Sequence, residues 1–182
     1  AAYQGVFKNP LVAPDLLGVS SGACVGASVA ILLHLNSFGV QAMAFVAGIL
    51  AVGLTLFIPR LIKNTNMTML VLSGIIVKGI MDSVMGIIKY VADPETELQS
   101  ITYWQLGSLT KVLPRDLFTV GPVIIAASVI IFLLRWRINI LSLGDREAKT
   151  LGVSVTVVRN FIIICATLLT ASAVCISGTI GW

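Results

Sequence analysis

The sequence predicts an all-α fold, a polytopic bundle of membrane-spanning helices. Of its 182 residues, 57% are hydrophobic and 11% are charged, against roughly 25% charged in an ordinary soluble domain. The mean hydropathy is +1.01. The apolar residues are also gathered into runs long enough to cross a bilayer, which takes about 20 residues. A water-soluble fold must cover its surface with polar groups that this chain lacks. Soluble enzymes, nucleic-acid-binding modules and disordered chains are therefore disfavoured. The net charge of +4 is loop charge on this reading, because the basic residues sit at the ends of the apolar runs.

Five runs qualify as full spans: Leu16–Leu35, Val40–Ile62, Met67–Val91, Leu117–Arg135 and Thr156–Ile180, with residues 1–7 as the tail of another. They are too long and continuous for barrel strands. Asn9-Pro10 and Ala13-Pro14 break the chain before the first run, since proline disfavours helix at the residue preceding it. Within that run Gly18, Gly22, Gly26 and Ala30 recur every fourth residue, a stripe that lets a neighbouring backbone come close. Residues 36–39 make a short turn, and Pro59 with Lys63-Asn64-Thr65-Asn66 makes the next. The third run carries Lys78 and Asp82, four residues apart. Charges at such depth face protein or water, so the pair reads as an i,i+4 ion pair, as the lining of a polar path, or as a proton relay.

Residues 93–116 form the longest connection and residues 135–155 the most charged one. In the latter, Ser142 with Asp145 fits a helix-starting capping box and Gly152 a helix stop. A short charged helix is expected between them, with Ala148 and Leu151 on one face near Leu143. It either lies on the lipid interface or serves as a docking knob for another protein.

Orientation follows from the placement of lysine and arginine. With the sides alternating, Lys8, Arg60, Lys63, Arg135, Arg137, Arg146, Lys149 and Arg159 share one side. Lys89, Lys111 and Arg115 share the other. The first side is expected to be cytoplasmic, so the segment around 139–154 lies inside. The chain opens and closes in mid-pattern, which leads us to expect a piece of a longer protein.

Enzymatic chemistry finds little support. Gly18-Val19-Ser20-Ser21-Gly22 matches G-x-S-x-G, but a hydrolase elbow needs a strand before it. The only histidine, His34, lies about 21 Å from Ser20 along a continuous helix, far beyond the ~3 Å a nucleophile and base require. An intramembrane serine protease is thus the remotest alternative. Cys24, Cys165 and Cys175 sit inside apolar runs and read as small buried hydrophobes. No catalytic residue, metal site or cofactor is expected.

Several motifs carry a resemblance. Asn9-Pro10-Leu11 followed by Pro14-Asp15-Leu16-Leu17-Gly18-Val19-Ser20-Ser21-Gly22-Ala23 resembles the NPLADPYLLGVSSGA signature of iron-chelate and vitamin B12 type (FecCD-like) ABC-importer permeases. Trp104-Gln105-Leu106-Gly107-Ser108-Leu109 is similar to their WLMGSL element. Leu143-Gly144-Asp145, Ala148 and Leu151-Gly152-Val153 follow their LGDxxAxxLGV stretch. Gly178-Thr179-Ile180-Gly181-Trp182 resembles the start of a further block. Lys78 and Asp82 depart from the small or mildly polar residues common there.

The resemblance implies a single transmembrane permease domain over residues 1–182, the central fragment of a permease of about ten spans. It implies a multi-pass protein of the cytoplasmic (inner) membrane. Its partners would be a cytoplasmic ABC ATPase dimer, an extracytoplasmic substrate-binding protein and a second permease subunit in the lipid bilayer, with no nucleic acid. The cargo would be an iron–siderophore complex, haem or a cobalamin. The ATPase-coupling segment would cover residues 139–154, through Gly144, Asp145, Arg146, Ala148, Leu151 and Gly152. Lys78 and Asp82 would line the translocation path, and Lys111 and Arg115 would meet the binding protein. An ion-coupled secondary transporter using Lys78 and Asp82 is the main alternative.

Overall fold

A computed structural model describes residues 2–7, 13–62, 66–152 and 154–179, with backbone alone at Ala2, Val6, Pro14, Lys111, Arg115, Leu143, Asp145, Arg146 and Lys149. Among these residues the chain forms nine α-helices and no strand. They are α1 (Ala2–Phe7), α2 (Val19–Leu32), α3 (Ser37–Leu61), α4 (Met67–Val91), α5 (Glu97–Leu106), α6 (Pro114–Leu133), α7 (Arg135–Leu143), α8 (Asp145–Thr150) and α9 (Val155–Ser177). Short 3-10 turns cover Pro14–Leu17 and Leu109–Lys111. The expected calls at Asn9-Pro10-Leu11, Lys8, Lys63, Val153 and Ile180-Gly181-Trp182 lie outside the described residues.

Helices α3, α4, α6 and α9 are long and apolar enough to cross a membrane. The fifth expected span is different. Its helix, α2, has 14 residues, about 21 Å, short of the ~30 Å hydrocarbon core. The chain spends Pro14–Gly18 in a 3-10 turn closed by Gly18 in the left-handed conformation (φ 76°). The turn keeps its own polar groups satisfied, as low dielectric demands. The Leu16 amide donates to the Ala13 carbonyl at 3.1 Å and the Gly18 amide to the Asp15 carbonyl at 3.0 Å. The Thr55 hydroxyl donates to the Leu17 carbonyl at 3.1 Å.

The packing is that of a membrane bundle. The buried face of α2 is Gly22, Ala23, Cys24, Gly26, Ala27, Ser28 and Ala30, while large side chains such as Leu50 and Phe57 on α3, Ile80 and Ile87 on α4, and Phe118 and Ile125 on α6 face outward. Lipid solvates those outer chains, so close backbone approach replaces hydrophobic burial as the source of cohesion. A Cβ on Gly22 would stand 2.9 Å from the Ala47 carbonyl oxygen, and one on Gly26 would run into the Met43 carbonyl. Both glycines thus face α3. Gly18 instead ends the 3-10 turn and lies against Val77 and Lys78 of α4, so it stands outside the helical stripe. The most buried span is α9, at 56%, and the least is α6, at 11%. The former is the hub, packing on α1, α2, α3, α6 and α8.

One end of the bundle is closed by Phe7, Leu70, Leu141, Ala148, Val155 and Val158. The other is closed by Met85, Ile88, Ala92 and Ile101 with Leu32 and Leu98. The long connection 93–116 belongs to this second end and is not a simple loop. It carries α5, started by Asp93, whose carboxylate accepts from the Glu95 and Thr96 amides at 2.8 and 3.2 Å. Ile101 is fully buried beneath it. Its last turn meets the end of α9, where Gly107 (φ 67°) and Gly178 (φ 72°) leave no room for a Cβ between their backbones and the Ser108 amide donates to the Ser177 carbonyl at 2.7 Å. Asp116 fastens the start of α6 by accepting from the Leu113 amide at 3.0 Å and from Gln41 of α3 at 3.1 Å.

Candidate functional site

The break before α2 lies beside the middle of α4. Lys78 comes about 17 Å along a helix of about 37 Å, and Leu16 crosses the same helix at Gly74, where a Cβ would collide with the Leu16 carbonyl oxygen. Here one of the three sequence readings, the i,i+4 ion pair, is corrected. The Lys78 ammonium is bonded to Asp15 of the 3-10 turn, not to Asp82 on its own helix. The physical reason is order and reach. Lysine preceding aspartate by four residues is the weaker i,i+4 arrangement, and the unwound turn offers a carboxylate directly opposite. Asp82, one turn further on, is exposed and acts on the same ammonium through space.

These three side chains open onto a cavity of about 570 Å³. Ser20, Ser21 and Cys24 of α2 line one wall, Lys78, Asp82 and Met85 of α4 the other, with Gln105 and Thr179 at the end of α5 and beyond α9. The Thr179 hydroxyl donates to the Gln105 carbonyl, tying the two together. Sequence reading missed Asp15, Gln105 and Thr179. Only Asp15 left a signal, a carboxylate directly after a proline at the head of an apolar run. The arrangement is a polar, charged cavity beside the middle of α4, where irregular backbone is tolerated because it lines a cavity.

Ser20 lies in that cavity, and His34 lies beyond the far end of α2, in the left-handed conformation (φ 51°), with Nε2 3.4 Å from Glu97 Oε1. The two are not brought together.

The charged connection 135–155 forms two short helices, α7 and α8, where one was expected. The expected pairing of Ser142 with Asp145 rests on a side chain outside the described residues, but Ser142 does not stand at the start of α8. Ser142 belongs to α7, and its hydroxyl donates to the Asn139 carbonyl at 2.6 Å. Gly144, between the helices (φ 152°), accepts the first α8 bond from the Ala148 amide at 2.9 Å. A Cβ on Gly144 would meet only the movable Glu147 carboxylate, and it is the φ of 152°, rarely adopted by L side chains, that makes this break favour glycine. Asp145 and Arg146 open α8, and Gly152 follows its end in the left-handed conformation (φ 76°). Ala148 is fully buried while Leu151 is 61% exposed, so the two do not share one buried face. Lys111 ends the second 3-10 turn and Arg115 is the second residue of α6, both at the end that carries α5.

Comparison with known proteins bears on all of these parts. The model of the FecCD transport family matches residues 1–182. The chain is 34% identical over 180 residues to the molybdate import system permease protein MolB of Haemophilus influenzae, covering 98% of this chain and 53% of that protein. It is 37% identical over 179 residues to a probable iron chelatin transport system permease protein of Helicobacter pylori, at 98% and 54% coverage. It is 33% identical over 187 residues to the hemin transport system permease protein HmuU of Yersinia pestis, at 98% and 55%. The chain spans about half the length of the curated relatives it matches. A solved ABC transporter described as of metal-chelate type, in an inward-facing conformation, superposes with a TM-score of 0.91 at 33% identity, covering all of this chain and 58% of that one.

Proposed function

The chain belongs to the FecCD transport family, and from that premise we propose that it is the central part of the permease subunit of a binding-protein-dependent ABC importer in the cytoplasmic (inner) membrane. The cargo class is an iron–siderophore, haem or cobalamin-type chelate. The permease makes and breaks no bonds. It holds a bistable passage, and a cytoplasmic ATPase dimer drives that passage between states. A second permease subunit completes the passage and an extracytoplasmic binding protein delivers cargo.

The observation that carries this reading is the polar cavity at the mid-depth break. Asp15, Lys78 and Asp82 meet there among neutral hydroxyls and an amide, a lining suited to letting a polar solute pass and unsuited to lipid. On the same reading, α8 is the coupling element. Gly144, Asp145, Arg146, Ala148, Leu151 and Gly152 form a short charged protrusion whose buried Ala148 anchors it at the α7–α9 junction. ATP-driven closure of the ATPase pushes α8, and the push reaches α9, the bundle's hub, as a rigid tilt. Lys111 and Arg115, at the opposite end, face the binding protein.

The test is uptake into vesicles bearing the intact permease with its ATPase and binding protein. Accumulation that requires ATP and persists when the proton gradient is collapsed supports the importer. Accumulation that follows the gradient and ignores ATP supports the ion-coupled alternative built on Lys78 and Asp82. In parallel, reversing both charges at Asp145 and Arg146 should cut co-purification of the ATPase at least about ten-fold, since like charges at an interface cost several kcal/mol. Unchanged co-purification rejects the coupling assignment.

A further inference from the structure

The charge of the cavity says more about its cargo. We propose that the passage takes cationic or charge-neutral cargo and turns away free oxyanions, an inference that rests on the cavity being the translocation path. Among the described residues, three charged side chains line it: Asp15, Lys78 and Asp82. The one ammonium is already in contact with the Asp15 carboxylate. Among the described lining residues an oxyanion therefore meets no second cation and would have to take Lys78 from Asp15. Asp82 remains as one uncompensated negative charge, exposed on α4 and facing the same space.

The other lining groups do not reverse this sign. Ser20, Ser21, Thr179 and Gln105 are neutral and bond to donors or acceptors alike, and Met85 and Cys24 are weakly polar. At mid-depth of a bundle the effective dielectric is below that of water, so one net charge acts strongly over several ångströms. With about 570 Å³ of space, the cavity admits a solute far larger than one hydrated ion, a water occupying about 30 Å³. The 34%-identical relative from Haemophilus influenzae carries molybdate in its name. By its charge, the cavity of this chain is unsuited to that ion.

The test reads the cavity directly and needs no knowledge of the cargo. In the intact permease, with its native cysteines replaced and reconstituted in lipid, Ser21→Cys places one thiol on the wall. Its reaction rate with a cationic methanethiosulfonate is compared with that of an anionic one. The ratio is normalised to the same ratio for a free thiol in solution. We expect an excess of about ten-fold in favour of the cation, and Asp82→Asn should remove most of it. The charge-balanced double variant Asp15→Asn with Lys78→Met should retain the preference, because the net charge is unchanged. Molybdate at millimolar concentration should give no protection. A normalised ratio at or below one overturns the inference, as does a ratio insensitive to Asp82→Asn, or protection by molybdate. If neither reagent reaches the thiol, the cavity is closed to water and the translocation-path reading itself fails, an outcome distinct from all the others.

Discussion

At the scale of single residues, two glycines five positions apart on α4 make opposite demands on the chain. Gly74 lies where the Pro14–Gly18 turn crosses α4, and any Cβ there meets the Leu16 carbonyl oxygen; five residues on, Gly79 has nothing within 4 Å. We expect Gly74→Ala to destabilise by about 1–3 kcal/mol, the usual effect of overpacking against atoms that cannot move aside. Gly79→Ala should be neutral or stabilising by up to about 1 kcal/mol through helix propensity. Thermal unfolding followed by size-exclusion chromatography of a fluorescent fusion separates the two.

Lys78 and Asp15 call for a double-mutant cycle. Their side chains are 40% and 28% exposed, so the cost of breaking a buried pair must be discounted for solvent screening. Lys78→Met alone should destabilise by about 1 kcal/mol, and adding Asp15→Asn should recover most of the loss. Additive losses in the same unfolding assay would mean that the pair contributes no coupling.

At the scale of elements, the short helices matter most. Neither α7, with 9 residues, nor α8, with 6, is long enough to be stable alone. Both depend on docking through Leu141 and Ala148. Replacing the fully buried Ala148 with leucine leaves nowhere for the added carbons, so α8 should be displaced. ATPase co-purification should then fall several-fold while membrane insertion is unchanged. Leu151→Ala, at an exposed position, should leave α8 in place. Protease nicking between residues 144 and 152 in the Ala148 variant but not the Leu151 variant would report the displacement. Here sequence legibility is partial. The charged segment, its glycine stop and its exposure between two spans were readable from composition. The division at Gly144 was not, because it depends on a steep backbone angle rather than on a residue pattern.

At the scale of the whole molecule, the proposed topology puts the two closed ends of the bundle on opposite faces of the membrane. Cysteine substitution at Ser142 and at Glu95, followed by labelling with an impermeant maleimide on right-side-out and inverted vesicles, checks the orientation. Ser142→Cys should react from the cytoplasmic face alone and Glu95→Cys from the outer face alone. Labelling of both from one face would undo the alternating topology.

Apolar runs, basic clusters at their ends and turn residues between them were enough, read alone, to define a helical membrane bundle with four correctly placed long spans and a charged segment at one end. Those features are local, since hydropathy and turn chemistry act within a few residues of where they are written. What only the tertiary structure decided was partnership: that the turn before α2 lies against Gly74 of α4, that Asp15 and not Asp82 takes the lysine, and that Gln105 and Thr179 close a cavity begun on α2. Each of these joins residues between about 60 and 160 positions apart, and such contacts are fixed by the packing of small residues between helices, a geometry no single stretch of the chain contains.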